Sequence, residues 1–548
     1  MIELEKLSTG IPSLDRILQG GLPRNSVNVI AGPPGTGKSI LAQQIVFHNA
    51  RADDRAPYLV TVSEPTVKML RYNQRFTFFD AERVGENVIY LDLGSTLLQG
   101  GLDEVTRQIE HYIEEYAPTL LAIDSFKALH EVAKDVPQLR EFAYRLAIRL
   151  TTWGTTTLMV GEYTRENIFE TPIFAIADGI FYLDHAMRGM QTERYLEVLK
   201  MRGDGYFAGK HPFTIDSDGI RVYPRLTTPA TMKPYPVGER RLSLGVPGLD
   251  EMTRSGVLSA TSTLVAGSAG TGKTLLGLHF LLEGIRHGEP GLLITFQETP
   301  SMLRAFSRGF GWDLEQLEAD GKLSLLYSSP VELSVDQHAE TIRQCVVKTG
   351  ARRIVMDSLK DIELATPDKV RYKDYIYAMV NEFRRHGITS LLTSEIPEMF
   401  GDFTVSEYGV SFVTDNVILM RYVELEGHVA RALSVLKMRG SDHDKSVRQY
   451  QITPDAGISV LEPFVDYDTV LTGATALAGP PGAGLLSPYP RRVLHKLTGT
   501  SAQTLEDLAR ACKLDLEFTR EAVDTLLQLG YAVRQTRDGR TLYQATTG

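Results

Sequence analysis

Two cysteines in 548 residues, Cys345 and Cys512, are too few for a disulfide framework and have no zinc-site spacing. A reducing, cytoplasmic setting is therefore expected. Long apolar runs are missing as well. No stretch approaches the ~18–20 residues that cross a bilayer, so no membrane partner is expected. The opening MIELEKLSTG has neither a basic start nor an apolar stretch, and no secretory signal is expected from it. Positive charge is outnumbered, with 58 Lys and Arg against 68 Asp and Glu and a net charge of -10. That balance argues against a large sequence-independent nucleic-acid surface, because such binding rests on neutralising phosphates. The remaining composition, 43% hydrophobic and 23% charged, is that of an ordinary globular protein. At roughly 150 residues per domain the length implies three or four domains.

The chain repeats itself. LSTGIPSLD (7–15) returns as LSLGVPGLD (242–250), and AGPPGTGKS (31–39) as AGSAGTGKT (266–274). TVSE (61–64) matches TFQE (295–298), AIDS (122–125) matches VMDS (355–358), and LKMRG (199–203) recurs unchanged at 436–440. Five blocks in one order, each returning about 235 residues later, mark a duplicated domain. The repeats are expected at 1–224 and 242–470. The Pro/Thr-rich stretch 225–241 reads as one linker, and the Gly/Pro-rich stretch 471–489 as another. Within the second linker GPPGAG imitates a phosphate loop, but no Lys follows its last Gly and no strand precedes it. Each repeat alternates short β-rich runs with helix-length segments, which predicts an α/β fold with a mainly parallel sheet covered on both faces.

The pattern G-x-x-x-x-G-K-[ST] occurs twice, between a predicted strand and a predicted helix each time. In the first copy Gly35, Thr36, Gly37, Lys38 and Ser39 carry it; in the second, Gly270, Thr271, Gly272, Lys273 and Thr274. Glycines let backbone N–H groups curl around phosphates, the Lys reaches the β/γ-phosphates and the hydroxyl ligates Mg²⁺. ATP and Mg²⁺ are the ligands this implies. An apolar strand ending in Asp124, and another ending in Asp357, supply a carboxylate for the metal beside Ser39 and Thr274. A residue must also orient or deprotonate the attacking water, and Glu64 and Glu298 are the strand-end carboxylates common to both copies. Glu162 and Glu395 end a later strand in each repeat, where they would sense the γ-phosphate. In LKMRG, Lys200 and Arg202, and likewise Lys437 and Arg439, fall on one face of a strand. Cations supplied across a subunit interface stabilise phosphoryl-transfer charge, and this is the role expected of them.

These blocks together resemble the two halves of a KaiC-type protein over roughly residues 3–470. The resemblance implies tandem RecA-like P-loop domains and a double-ring homohexamer with ATP at subunit interfaces. Lys/Arg fingers would reach the neighbour's nucleotide, with ATPase activity in the first ring and Ser/Thr autokinase activity in the second. The chain departs from the family where two Glu usually stand in tandem, since it has Ser63-Glu64 and Gln297-Glu298. It departs again at the adjacent Ser-Thr phosphoacceptors of clock members, where it has Ser411-Phe412. Ser411 is the one surviving candidate acceptor.

Residues 490–548 lie outside the resemblance. Three predicted helices and a hairpin around Asp538-Gly539 look like a small winged helix-turn-helix domain. The third helix should face its core with apolar residues that include Phe518, Ala522, Leu526 and Leu529. DNA is the obvious partner for such a tail, but its recognition helix carries Glu517, Glu521 and Asp524 against Arg520. A protein partner, or docking within the chain itself, is the favoured reading. The leading functional reading is a hexameric ATP-driven switch. A clock-type autokinase and a RecA-like DNA-repair or recombination ATPase are the alternatives.

Overall fold

Val27–Gly32, six consecutive buried residues, make the strand β1 that leads into the first phosphate loop. An unbroken apolar run is what a strand covered on both faces requires. The structure is a computed structural model. It describes residues 5–62, 65–188, 191–226, 238–366, 368–396, 413–425, 428–464, 467–468, 476–477, 488–498, 501–512, 514–537 and 540–546. Contacts divide the chain into two compact units, one holding 1–226 with Asp336–Thr341 and the other holding 227–335 and 342–548.

In the first unit β1 is followed by β2 (Ala56–Val60), β3 (Val88–Asp92), β4 (Leu120–Asp124) and β5 (Thr156–Glu162). Then come β6 (Gly179–Arg188), β7 (Gln191–Met201), β8 (Lys210–Asp216) and β9 (Gly219–Val222). They form one sheet in the order β3-β2-β4-β5-β1-β6-β7-β8-β9. Pairings from β3 to β6 are parallel, and β7, β8 and β9 add an antiparallel edge. The helix α1 (Lys38–Asn49) lays Leu41, Ala42, Ile45 and Val46 on one face, against Ile30, Tyr58 and Val60. On the other face α2 (Val136–Thr152) packs Leu139, Phe142 and Leu146 with Val27, Val29 and Ile123. Each large aliphatic side chain buried this way contributes about 1.5–3 kcal/mol.

The second unit repeats this topology. Its strands are β10 (Ser262–Gly267), β11 (Gly291–Thr295), β12 (Leu323–Tyr327), β13 (Arg353–Asp357) and β14 (Thr389–Glu395). They continue as β15 (Asn416–Leu425), β16 (His428–Met438), β17 (Arg448–Thr453) and β18 (Gly457–Pro463). The order β12-β11-β13-β14-β10-β15-β16-β17-β18 matches the first sheet position for position. Helix α3 (Lys273–Arg286) takes the place of α1, burying Leu275, Leu276 and Leu281 against Val265, Leu293 and Val355. The ladder slips at matching places in the two sheets, between Ile180 and Phe181 opposite β7 and between Val417 and Ile418 opposite β16. In both cases the residue skipped is the Leu of LKMRG. A bulge there re-aims the Lys that follows.

The tail has its own hydrophobic cluster, built by α6 (Pro488–Leu497), α7 (Leu505–Cys512) and α8 (Leu516–Gln528) with the hairpin β19 (Ala532–Arg537) and β20 (Arg540–Ala545). In the second unit α4 (Leu359–Ala365) and α5 (Lys369–Arg385) follow β13. Two apolar positions expected in the tail core are instead on its surface, Phe518 and Leu529. Phe518 packs its ring on Tyr489 at 5.4 Å, and Val523 takes the inward place. The hairpin tip Asp538-Gly539 and most of 471–489 lie outside the described residues. Among the described residues no helix is long and apolar enough to cross a membrane.

Candidate functional site: two phosphate loops at strand ends

Both phosphate loops sit where the central strand gives way to its helix. Gly37 and Gly272 cap α1 and α3 with φ of 94° and 95°, a left-handed conformation that a side chain resists. A Cβ on either would also press within 2.8 Å of the isoleucine behind it, Ile215 or Ile452. Lys38 Nζ donates to the Pro33 carbonyl at 2.8 Å, and Thr36 Oγ1 to the same oxygen at 2.9 Å. In the second loop Lys273 Nζ donates to the Gly267 and Ser268 carbonyls, both at 2.8 Å, and Thr271 Oγ1 to Ser268 at 2.8 Å. The two ammonium groups are thus already folded over their loops. Burial lowers the pKa of each lysine, opposed by Glu162 and Asp124 around Lys38 and by Asp357, Glu395 and Glu298 around Lys273. With the helix N-terminus behind it, each loop is an anion site.

Asp124 and Asp357 are held differently. The buried Tyr58 hydroxyl donates to Asp124 Oδ2 at 2.7 Å, and burial followed by the Asp124 charge pushes the phenol pKa well up. Thr274 Oγ1 donates to Asp357 Oδ2 at 2.6 Å, and Thr393 Oγ1 donates to the other carboxylate oxygen. Thr274 and Asp357 therefore place a hydroxyl and a carboxylate oxygen side by side, the hard oxygen donors that Mg²⁺ takes alongside nucleotide phosphates. Ser39 and Asp124 line a single cleft of about 820 Å³ in the first unit, together with Lys38, Lys127, Glu131 and Glu162.

Of the two strand-end glutamates, Glu64 lies outside the described residues, as does Ser63. Glu298 is described. Burial, then the charge of Asp357, raises its pKa to about 7, against the pull of Lys273. A carboxyl poised there takes a proton near neutral pH. Its neighbour Gln297 donates Nε2 to Asp361 Oδ1 at 2.9 Å. Sequence reasoning singled out neither Asp361 nor Tyr58. Tyr58 reads as one more apolar strand residue, whereas the change from DSFKA to DSLKD was a visible signal for Asp361.

The LKMRG cations stand elsewhere. Lys200 Nζ donates to the Phe174 and Ala175 carbonyls at 3.2 and 3.0 Å, and Arg202 pairs with Asp178 at 3.6 Å. Asp178 also accepts the backbone N–H of Val27 at 3.0 Å, which places the group beside the first residue of β1. The phosphate loop follows the last residue of that strand, roughly 17 Å away at ~3.3 Å per residue. The second unit repeats this: Lys437 Nζ donates to the Thr414 carbonyl at 2.7 Å, Arg439 pairs with Asp415 at 3.9 Å, and Asp415 accepts the Ser262 N–H at 2.9 Å. The structure therefore does not bring these cations to the phosphate loop of their own unit. Ser411 and Phe412 lie outside the described residues, and Thr414 beside them is fully buried.

Two mostly parallel sheets, each with a Lys-bearing phosphate loop after its central strand and a strand-end Asp beside the loop hydroxyl, define a tandem P-loop nucleotide-binding protein. A family model for the KaiC ATPase matches residues 7–227 and again 242–464, and the chain belongs to that family. It is 30% identical to the circadian clock oscillator protein KaiC of Picosynechococcus sp. over 482 residues, covering 86% of this chain and 92% of that protein. The same protein of Rippkaea orientalis is 30% identical, with 86% and 91% covered. The circadian clock protein KaiC3 of Synechocystis sp. is 30% identical, with 86% and 94% covered.

Proposed function

We propose that the chain is a cytoplasmic ATP-driven switch that binds Mg-ATP at both phosphate loops, hydrolyses it slowly and assembles as a homohexamer. Lys38 and Lys273 would hold the β/γ-phosphates; Ser39 with Asp124, and Thr274 with Asp357, would hold Mg²⁺, which supplies charge neutralisation when bound. Glu64 and Glu298 would take the proton of the attacking water. The placement of Lys200, Arg202, Lys437 and Arg439 carries this reading. Each pair stands at the far end of the sheet from the phosphate loop of its own unit, which supports a role at a nucleotide bound across a subunit interface. Such a group couples nucleotide to assembly. Arg202→Ala is expected to shift the ATP-bound protein to smaller species in light scattering. Turnover should fall roughly tenfold, less than the ~10³ of a sole finger, because Lys200 remains. Unchanged size together with unchanged turnover would refute the interface role.

Autokinase activity is the second reading, and Ser411 would be its acceptor. Phe412 has no hydroxyl and Gln297 cannot accept a proton, so an ordered two-site cycle is not expected. Incubation with Mg-ATP and phosphosite mapping over time should yield at most one site within 404–416. Two stoichiometric sites filling in a fixed order would overturn this. For the tail we infer a protein partner rather than DNA. Glu517, Glu521 and Asp524 are all exposed on α8, beside exposed Leu516 and Phe518. The same acidity, with the net charge of -10, weighs against a recombination ATPase.

A further inference from the structure

Helix α4 (Leu359–Ala365) starts directly after the Asp357-Ser358 strand end, ahead of α5 (Lys369–Arg385), and brings Asp361 beneath the second nucleotide site. Asp361 is only 3% exposed. Its Oδ2 accepts Ser358 Oγ at 2.7 Å and its Oδ1 accepts Gln297 Nε2 at 2.9 Å. A carboxylate only accepts hydrogen bonds, so the Gln297 amide is fixed one way round, NH₂ inward and Oε1 outward. Gln297 is exposed, and among the described residues no donor reaches that Oε1. Gln297 sits between the end of β11, which pairs with Asp357, and Glu298. In the first copy the matching sequence positions are Ser63 and Ala128, so both partners differ together. A buried carboxylate kept only where the strand-end residue is an amide is a matched pair.

We propose that Gln297 and Asp361 are a water-positioning pair of the second nucleotide site, in which Gln297 Oε1 accepts a hydrogen bond from the attacking water and Asp361 acts only through Gln297. The proposal rests on the reading of that site as an ATPase. In the step it serves, the water oxygen forms a bond to the γ-phosphorus. The bond from that phosphorus to the β–γ bridging oxygen breaks, and its electron pair leaves with ADP. One water proton passes to the Glu298 carboxylate and from there to solvent, leaving ADP and inorganic phosphate. Gln297 takes no proton. It selects the water orientation whose lone pair faces phosphorus, which is worth having because small misplacements of a reacting group are costly in rate.

The test is a cycle on the full chain: wild type, Asp361→Ala, Gln297→Glu and the combined chain, with Mg-ATP turnover measured for each. Turnover remaining in Lys273→Ala gives the first site's share and is subtracted. Asp361→Ala is expected to lower the second site's kcat roughly tenfold with KM for ATP little changed, since the water and not the nucleotide is misplaced. Gln297→Glu alone is expected to be at least as slow, because its new carboxylate faces Asp361 and like charges at that distance disfavour ionisation. The combined chain should recover most of the rate, the opposing charge being gone and the new carboxylate free to orient water. Asp361→Asn keeps the shape if the alanine variant folds poorly. It offers both donor and acceptor, so the amide is no longer fixed and kcat should fall a few-fold. Independent losses that multiply in the combined chain, or an unchanged rate in Asp361→Asn, overturn the pairing while leaving the ATPase reading intact. A wild type with no turnover at all removes both.

Discussion

A chain carrying Lys38→Ala together with Lys273→Ala is expected to bind no ATP at concentrations that saturate the wild type. Each ammonium lies inside its loop, within 2.8 Å of loop carbonyls, and exchanges those neutral acceptors for phosphate oxygens when nucleotide enters. A charged hydrogen bond contributes about 1.5–3 kcal/mol. Losing it, and leaving the phosphate charge uncompensated beside Glu162 or Glu395, should weaken each site by at least roughly 10²-fold, at 1.4 kcal/mol per factor of ten. Burial lowers both lysine pKa values, and those carboxylates oppose the shift. Equilibrium dialysis with labelled ATP gives the stoichiometry: two per chain for the wild type, one for either single variant. Full occupancy of the double variant at unchanged affinity would show that the loops are not the nucleotide sites.

Glu298→Gln is expected to slow the second site roughly 10²–10⁴-fold, the usual contribution of a positioned base. The wild type should show a matching pH signature. Burial and Asp357 raise the Glu298 carboxyl from 4.5 to about 7, and only its deprotonated form accepts a proton. Second-site kcat/KM, which reports the nucleotide-free site, should therefore climb with pH through about 7 and level off above it, and the climb should vanish in Glu298→Gln. The stability sign is opposite. Between pH 4.5 and 7 the folded chain keeps a proton that the unfolded chain has released, so raising pH through that window weakens folding. A second-site kcat/KM profile flat from pH 6 to 8 would exclude Glu298 as the base.

The parts of the site legible in the sequence are those written locally. The strand–loop–helix of each phosphate loop, the strand-end aspartates and the duplicated blocks need only short-range pattern, and the second copy repeats what the first declares. Partnerships across the sheet were not legible. Tyr58 donates to Asp124 and Asp361 fixes Gln297 from more than sixty positions along the chain, and nothing in residue spacing reports either contact. The i, i+2 spacing of Lys200 and Arg202 gave them a shared face but not their end of the sheet. That end follows from the antiparallel return of β7 along β6, with the register slip before the Lys. Phe518 shows the limit of periodicity itself: a helix of thirteen residues offers more apolar positions than one small core can take.

The distance between each LKMRG pair and its own phosphate loop carries a consequence for abundance. On the proposed interface role, a chain would not finish its own site alone, and activity per molecule would depend on how many other molecules it has met. Diluted, the protein would idle with nucleotide held and little spent. As copies accumulate, turnover would rise more steeply than their number. Because the same five residues stand at the same place in both units, both sites would respond together, and the amount of protein in the cell would itself be read as an input.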